Sequence, residues 1–220
     1  HMAAGAPLHN NSLTELVIAI TGLLKDSAYT KMSSDSLRPV TNAISNLISD
    51  LFGIWASQNS APNIGSFNSM IANLAGRGRR KDVVEHALEA MEHYNLKPTT
   101  VTFRSILAAA GDMSDSEGIR SAWTDLVAHR IEKGAALELL DWQSLLNATR
   151  RINDPDYLRQ QLVNFKHIAS PYILDRMNTA LQAENFSRQL NPNKDPSSED
   201  LETVTKTMKI LELLKKDIGY

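Results

Sequence analysis

The chain has 220 residues and no cysteine, with 23 basic against 25 acidic side chains, a formal charge of −2 and a pI near 6.3. Without cysteine there is no disulfide framework, thiolate zinc site or cysteine nucleophile, and the charge balance lacks the basic excess usual in proteins that live on phosphate backbones. A hydrophobic content of 42% excludes wholesale disorder, and no apolar run approaches the ~20 residues that cross a bilayer.

His1-Met2 reads as an expression remnant, so a native targeting peptide is expected to lie outside this stretch. Residues 1–11 are polar and expected to be disordered. Ser12, with Glu15 three residues on, has the pattern of a capping box. Leu13, Leu16, Val17, Ile20, Leu23 and Leu24 then form an i, i+3, i+4, i+7 stripe that predicts a helix to about Tyr29. Caps at Ser33–Ser36 open a second helix, with Val40, Ile44, Leu47, Ile48, Leu51 and Trp55 on its buried face. Pro39 falls in its first turns, where a missing N–H is tolerable.

From Phe67 the chain repeats itself. An aromatic-x-Ser-apolar-apolar pentad stands at Phe67, at Phe103 and at Trp142, 36 and then 39 residues apart. Such a period marks arrays in which each unit is one helical hairpin that needs its neighbours to cover its apolar face. The first unit predicts helix A over 64–75, a break at Gly76-Arg77-Gly78, and helix B over 81–94 burying Val84, Ala87, Leu88 and Met91. The second predicts helices over 100–110 and 116–132, the latter with Ile119, Trp123, Leu126, Val127 and Ile131 on its apolar face. A third pair follows over 137–151 and 155–168, and a fourth, looser one over 171–182 and 199–216, joined by a polar loop at 189–198. The expected architecture is all-α: about five hairpins in one domain over 12–220. The clearest repeats are 63–98 and 99–134, and the looser pairs are 12–62, 135–168 and 169–216. The three tryptophans all fall on apolar stripes and are expected in the core.

Residues 63–107 resemble the pentatricopeptide repeat family. Ser66-Phe67-Asn68 and Val101-Thr102-Phe103 match its opening step, Gly78 its turn, and Met91 with Pro98 seven residues later its close. One residue is inserted between Gly78 and Met91, and Asn95 stands where the family has Gly before the close, a residue that also tolerates a left-handed backbone. The resemblance implies a right-handed α-α solenoid that reads single-stranded RNA with the fifth and last residue of each unit. Carried over, the fifth positions are Asn68, Arg104 and Gln143, and the last are Asn63 and Thr99. It also implies an organellar, here mitochondrial, role in gene expression. The position where family members place a basic residue against phosphate holds Gly76 in one unit and Asp112 in the next.

Arg77, Arg79, Arg80 and Lys81 form the densest basic cluster, suited to a phosphate backbone or an acidic partner. His86, Glu89 and His93 share a helix face, opposite Met91, and are expected to be solvated rather than to hold a metal. With no nucleophile elbow, phosphate-cradling glycine loop or HExxH, neither catalysis, a cofactor nor a small-molecule substrate is expected. Two functions remain: single-stranded RNA binding, or a scaffold that takes a partner protein in the same groove.

Overall fold

The computed structural model describes residues 10–58, 61–183, 186 and 197–218. The stretch 1–9 and most of the polar loop expected at 189–198 lie outside the described residues. Every regular element among those described is helical, and none of the helices is long and apolar enough to cross a membrane. The contacts gather into two compact units: one takes the chain through Lys97 and again from Asn191, the other is Pro98–Leu190.

The first unit contains α1 (Asn10–Gly22), a 3-10 turn (Leu23–Lys25), α2 (Ser27–Lys31), α3 (Ser34–Ser57), α4 (Ile64–Ser69), a π-helix (Met70–Arg77), α5 (Asp82–His93) and α11 (Ser198–Ile218). α1 begins two residues ahead of Ser12, so Ser12 lies inside the helix instead of capping it. It also stops at Gly22, short of the expected Tyr29, because Asp26 turns extended and accepts a hydrogen bond from the Ala28 N–H at 2.9 Å to start α2. Ser33 caps α3 through the Ser36 N–H at 3.3 Å. Pro39 sits at the sixth helical residue, deeper than the first turn, where it forfeits one bond of the ladder. Leu13, Val17, Ile20 and Leu24 pack with the stripe Val40, Ile44, Leu47, Leu51 and Trp55 to make this unit's core, all but fully buried. α1 packs on α3 and α4, and α11 packs on α2 and α3.

The second unit contains α6 (Thr100–Asp112), α7 (Ser116–Glu132), α8 (Leu139–Ile152), α9 (Pro155–Phe165) and α10 (Pro171–Gln182). Its core runs continuously from Leu107 through Trp123, Trp142 and Leu158 to Met177. The rings of Trp123 and Trp142 lie 5.0 Å apart, and the Trp123 indole N–H donates to Gln161 at 3.1 Å, so its one polar atom is satisfied. α10 packs on α8 and α9. The two helices expected to pair over 169–216 are therefore each packed elsewhere, one in either unit.

Three hairpins carry the repeat: α4 and its π extension with α5, α6 with α7, and α8 with α9. Five helix ends close in the same way. Arg79, Asn95, Ser114, Gly134 and Asn153 take left-handed backbone with φ of 53, 55, 57, 61 and 55°. In each, the next N–H returns to the carbonyl five residues back, at 2.8 to 2.9 Å, as at Arg80 to Ala75 and Leu96 to Met91. This is the Schellman closure, which satisfies carbonyls that a helix end would otherwise leave bare. Asn95 meets its sequence expectation. Gly78 does not supply the turn's left-handed residue; its φ is −75° and Arg79 takes that role. Gly78 is needed for space, since a Cβ there would stand 2.3 Å from the Leu74 carbonyl oxygen and 3.0 Å from the Thr41 methyl.

The left-handed residue follows Phe103 and Trp142 by 11 positions but follows Phe67 by 12. The surplus residue thus lies ahead of the turn. The π-helix absorbs it, its wider i to i+5 closure visible in the Gly78 N–H bond to Asn73 at 2.9 Å. Downstream, α5 buries Val83, Ala87 and Met91, while Val84 and Leu88 are half-buried, so the core stripe runs one position ahead of the expected Val84 and Leu88. On α7 the expected core residue Ile131 is exposed, and its neighbour Arg130 is buried instead.

Ser114 is exposed and holds its left-handed φ without the freedom of glycine. Ser114→Gly should raise stability by about 1 kcal/mol in urea unfolding, because an L side chain is penalised in that conformation. Gly111→Ala should do the opposite by ~1–3 kcal/mol despite alanine's better helix propensity, since the new Cβ meets the Ala148 Cα at 2.9 Å. A stabilising Gly111→Ala would show that α6 and α8 are free to move apart.

Candidate functional site

The first helices of the second unit, α6 and α8, lie side by side. Small residues permit the approach, with Gly111 directly against Ala148. Two arginines tie them in opposite directions. Arg104 of α6 donates its Nε–H to Asp141 of α8 at 2.9 Å. Arg151 of α8 pairs with Asp112 of α6 and donates to the Ala108 carbonyl at 3.1 Å.

Asp141 is the centre of this arrangement. Its side chain has 0% exposure and holds two guanidinium groups, Arg104 on one oxygen and Arg130 of α7 on the other at 2.9 Å. The second oxygen also accepts the Glu138 backbone N–H at 2.8 Å, which caps α8. Glu138 completes the cluster, 2.9 Å from Arg130 and 3.5 Å from Arg104. Two carboxylates face two guanidiniums, so a buried charge that alone would be prohibitive is matched on both sides. The Arg130 hydrogen bond, helped by its charge and that of Arg104, holds the Glu138 carboxyl below its ordinary range.

Arg104 is therefore committed to the fold, and only 19% of its side chain is exposed. Gln143 lies half-buried on α8, one position beyond Trp142. Thr99 precedes α6, where its N–H donates to the Thr102 hydroxyl at 3.1 Å in a capping box. In the first unit, Asn63 caps α4: its Oδ1 accepts from the N–H groups of Gly65 at 2.8 Å and Ser66 at 3.2 Å. Asn68 is half-buried, and its Oδ1 is shut away from solvent without a hydrogen bond. The expected base-reading residues divide between the two units, Asn63 and Asn68 in one, Thr99, Arg104 and Gln143 in the other.

The basic turn is a fastening. Arg77 donates to the Lys25 carbonyl at 3.3 Å and Arg79 to the Met32 carbonyl at 2.6 Å. Arg80 grips Asp82 with both ends of its fork, at 2.9 and 2.7 Å, and reaches the Asn42 side chain at 3.0 Å. The hydrogen bond from Arg80 holds the Asp82 carboxyl below its usual range. Arg77 and Arg79 serve the carbonyl ends of the 3-10 turn and α2, which is where cations are favourable, and Arg80 is held at the start of α5 by the Asp82 carboxylate. Lys81 is exposed beside them. His86, Glu89 and His93 also point to solvent.

Sequence reasoning passed over two residues. Val101 and Leu140 are 53% and 54% exposed, and each stands two positions ahead of its pentad aromatic, three ahead of Arg104 and Gln143. They occupy the same register on neighbouring helices; in the first unit that register holds Gly65. Extending the pentads two positions upstream finds them, since an apolar residue there lies off the helix's buried stripe.

Asp141→Ala should cost ~3–5 kcal/mol, because it takes the buried carboxylate from two guanidiniums and leaves them to the exposed Glu138 alone. Arg104→Ala should cost clearly less, since Arg130 and the Glu138 N–H still satisfy the carboxylate. Equal costs in urea unfolding would show that the cluster does not act as a unit. Both Glu138 and Asp82 have lowered values in the folded state, so their contribution is present above the ordinary carboxylate range, near pH 4. It should be lost as pH falls through their folded values, and Glu138→Gln should flatten that acid limb. No family model, curated protein or solved structure matches the chain.

Proposed function

We propose that the chain is a non-catalytic helical-repeat adaptor that takes a segment of a partner protein along α6 and α8. The observation that carries this is the pair Val101 and Leu140. Two large apolar side chains in one register on adjacent helices, each with a half-buried polar residue three positions on, suit the alternating apolar and polar contacts of a peptide or helix. The engagement of Asn63 and Thr99 in caps, of Arg104 and Arg80 in ion pairs, and of Arg77 and Arg79 on backbone carbonyls supports it, as does the net charge of −2. A mitochondrial setting follows from the family resemblance.

Single-stranded RNA is the second reading. The resemblance over 63–107 favours it, and so does the neighbourhood of Leu140 and Gln143, where an apolar surface beside an amide suits the face and edge of a base.

Anisotropy titration with mixed-sequence single-stranded RNA at low salt separates the two. The adaptor reading expects weak binding that Val101→Ser with Leu140→Ser leaves unchanged. A photo-crosslinking residue at Leu140 should instead capture a discrete protein in mitochondria, and the Val101→Ser substitution should abolish that product. Tight RNA binding lost on Leu140→Ser and Gln143→Ala, with a salt slope of about −0.7 per phosphate contacted, would overturn the adaptor reading in favour of RNA.

A further inference from the structure

The first unit is completed by its most distant piece. The whole of Pro98–Leu190 intervenes between α5 and α11, yet α11 packs on α2 and α3. The seat is specific at one point: the Tyr29 hydroxyl, buried with its ring, donates to the Thr207 hydroxyl at 2.6 Å. Elsewhere it is loosely made. Of 21 residues in α11 only Thr207 and Leu211 are buried, while Leu201, Ile210 and Leu213 stay exposed. A cavity of about 150 Å³ remains between the helices, lined by Ala43, Asn46, Leu47, Met208 and Leu211. An ion pair across it, Lys215 with Asp50, is 3.8 Å long, and the Asp50 oxygen involved has no hydrogen bond.

An element that is sparsely buried and joined to its seat through a separate unit opens more easily than the core beneath it. When it opens, it bares an apolar face on α3 whose fitted occupant is the sequence of α11 itself. We propose that α11 is an exchangeable element, and that the α2–α3 face accepts α11 from a second copy of this chain. Two copies that trade α11 form a closed, two-fold dimer. Every contact of the unexchanged form is kept, including Tyr29 with Thr207, so the exchange sacrifices no interface. It is independent of the partner assigned to α6 and α8.

The cysteine-free sequence makes the test direct. Ala43→Cys and Met208→Cys are placed on separately tagged chains, mixed at high concentration, and oxidised. The expected result is a disulfide-linked heterodimer in several-fold excess over the homodimer that either chain gives alone. The two substitutions in one chain, oxidised when dilute, should close within the monomer. Closure within one chain without heterodimer from the mixture would overturn the proposal. So would sedimentation of the unsubstituted chain as a monomer at all concentrations up to hundreds of micromolar, whatever the cross-linking gives. A dimer fraction that grows with concentration, and that Tyr29→Phe reaches sooner but at the same final level, supports it.

Discussion

A carboxylate with no exposed surface sets the geometry of the second unit. Asp141 is reached by a guanidinium from α6, another from α7, and the N–H that starts its own helix. Three helices therefore share one charge, and a shift of any of them would uncover it. Such clusters add little net stability over a well-packed apolar core, because desolvation offsets most of the attraction. Their effect is on register: apolar side chains tolerate sliding, whereas three bonds to one carboxylate do not. The relative placement of α6 and α8, and with it the spacing of Val101 and Leu140, follows from this centre.

The same logic explains why the basic residues of this chain are poor guides to its ligand. Cations near helix C-termini complement the partial negative charge of bare carbonyls, and Arg77 and Arg79 stand where α2 and the 3-10 turn end. In sequence they look like an anion site because the carbonyls they serve belong to residues about 50 positions away. A dense basic string beside a helix break is as readily a fastening between elements as a surface for phosphate.

Much of the architecture was legible. The helical periodicity, the pentad spacing, the capping serine of α3, the left-handed Asn95 and the buried tryptophans all depend on residues close in sequence, and local chemistry decides them. The failures share a cause as well. Arg130 replaces Ile131 in the core because a carboxylate eight to eleven residues on draws it inward. Ser12 loses its capping role because the chain before it also takes up the helix. α11 leaves its expected pairing with 171–182 because α3 and Tyr29, the latter 178 residues from Thr207, give it a face to cover. Nothing in the sequence says that the Asn68 oxygen is enclosed. At the candidate site the positions were readable, but their commitments were not.

The π-helix at Met70–Arg77 has a wider meaning for how such a repeat changes length. An extra residue in an α-helix rotates everything beyond it by about 100°, which would turn the core stripe of α5 and the closing turn away from their neighbours. Confined to a π turn, the same residue is stored as a local widening, and the chain leaves the helix facing almost as before. The segment behaves as an expansion joint. Hairpins of unequal length can then each keep their own length, while the turns that hand the chain from one helix to the next stay the same.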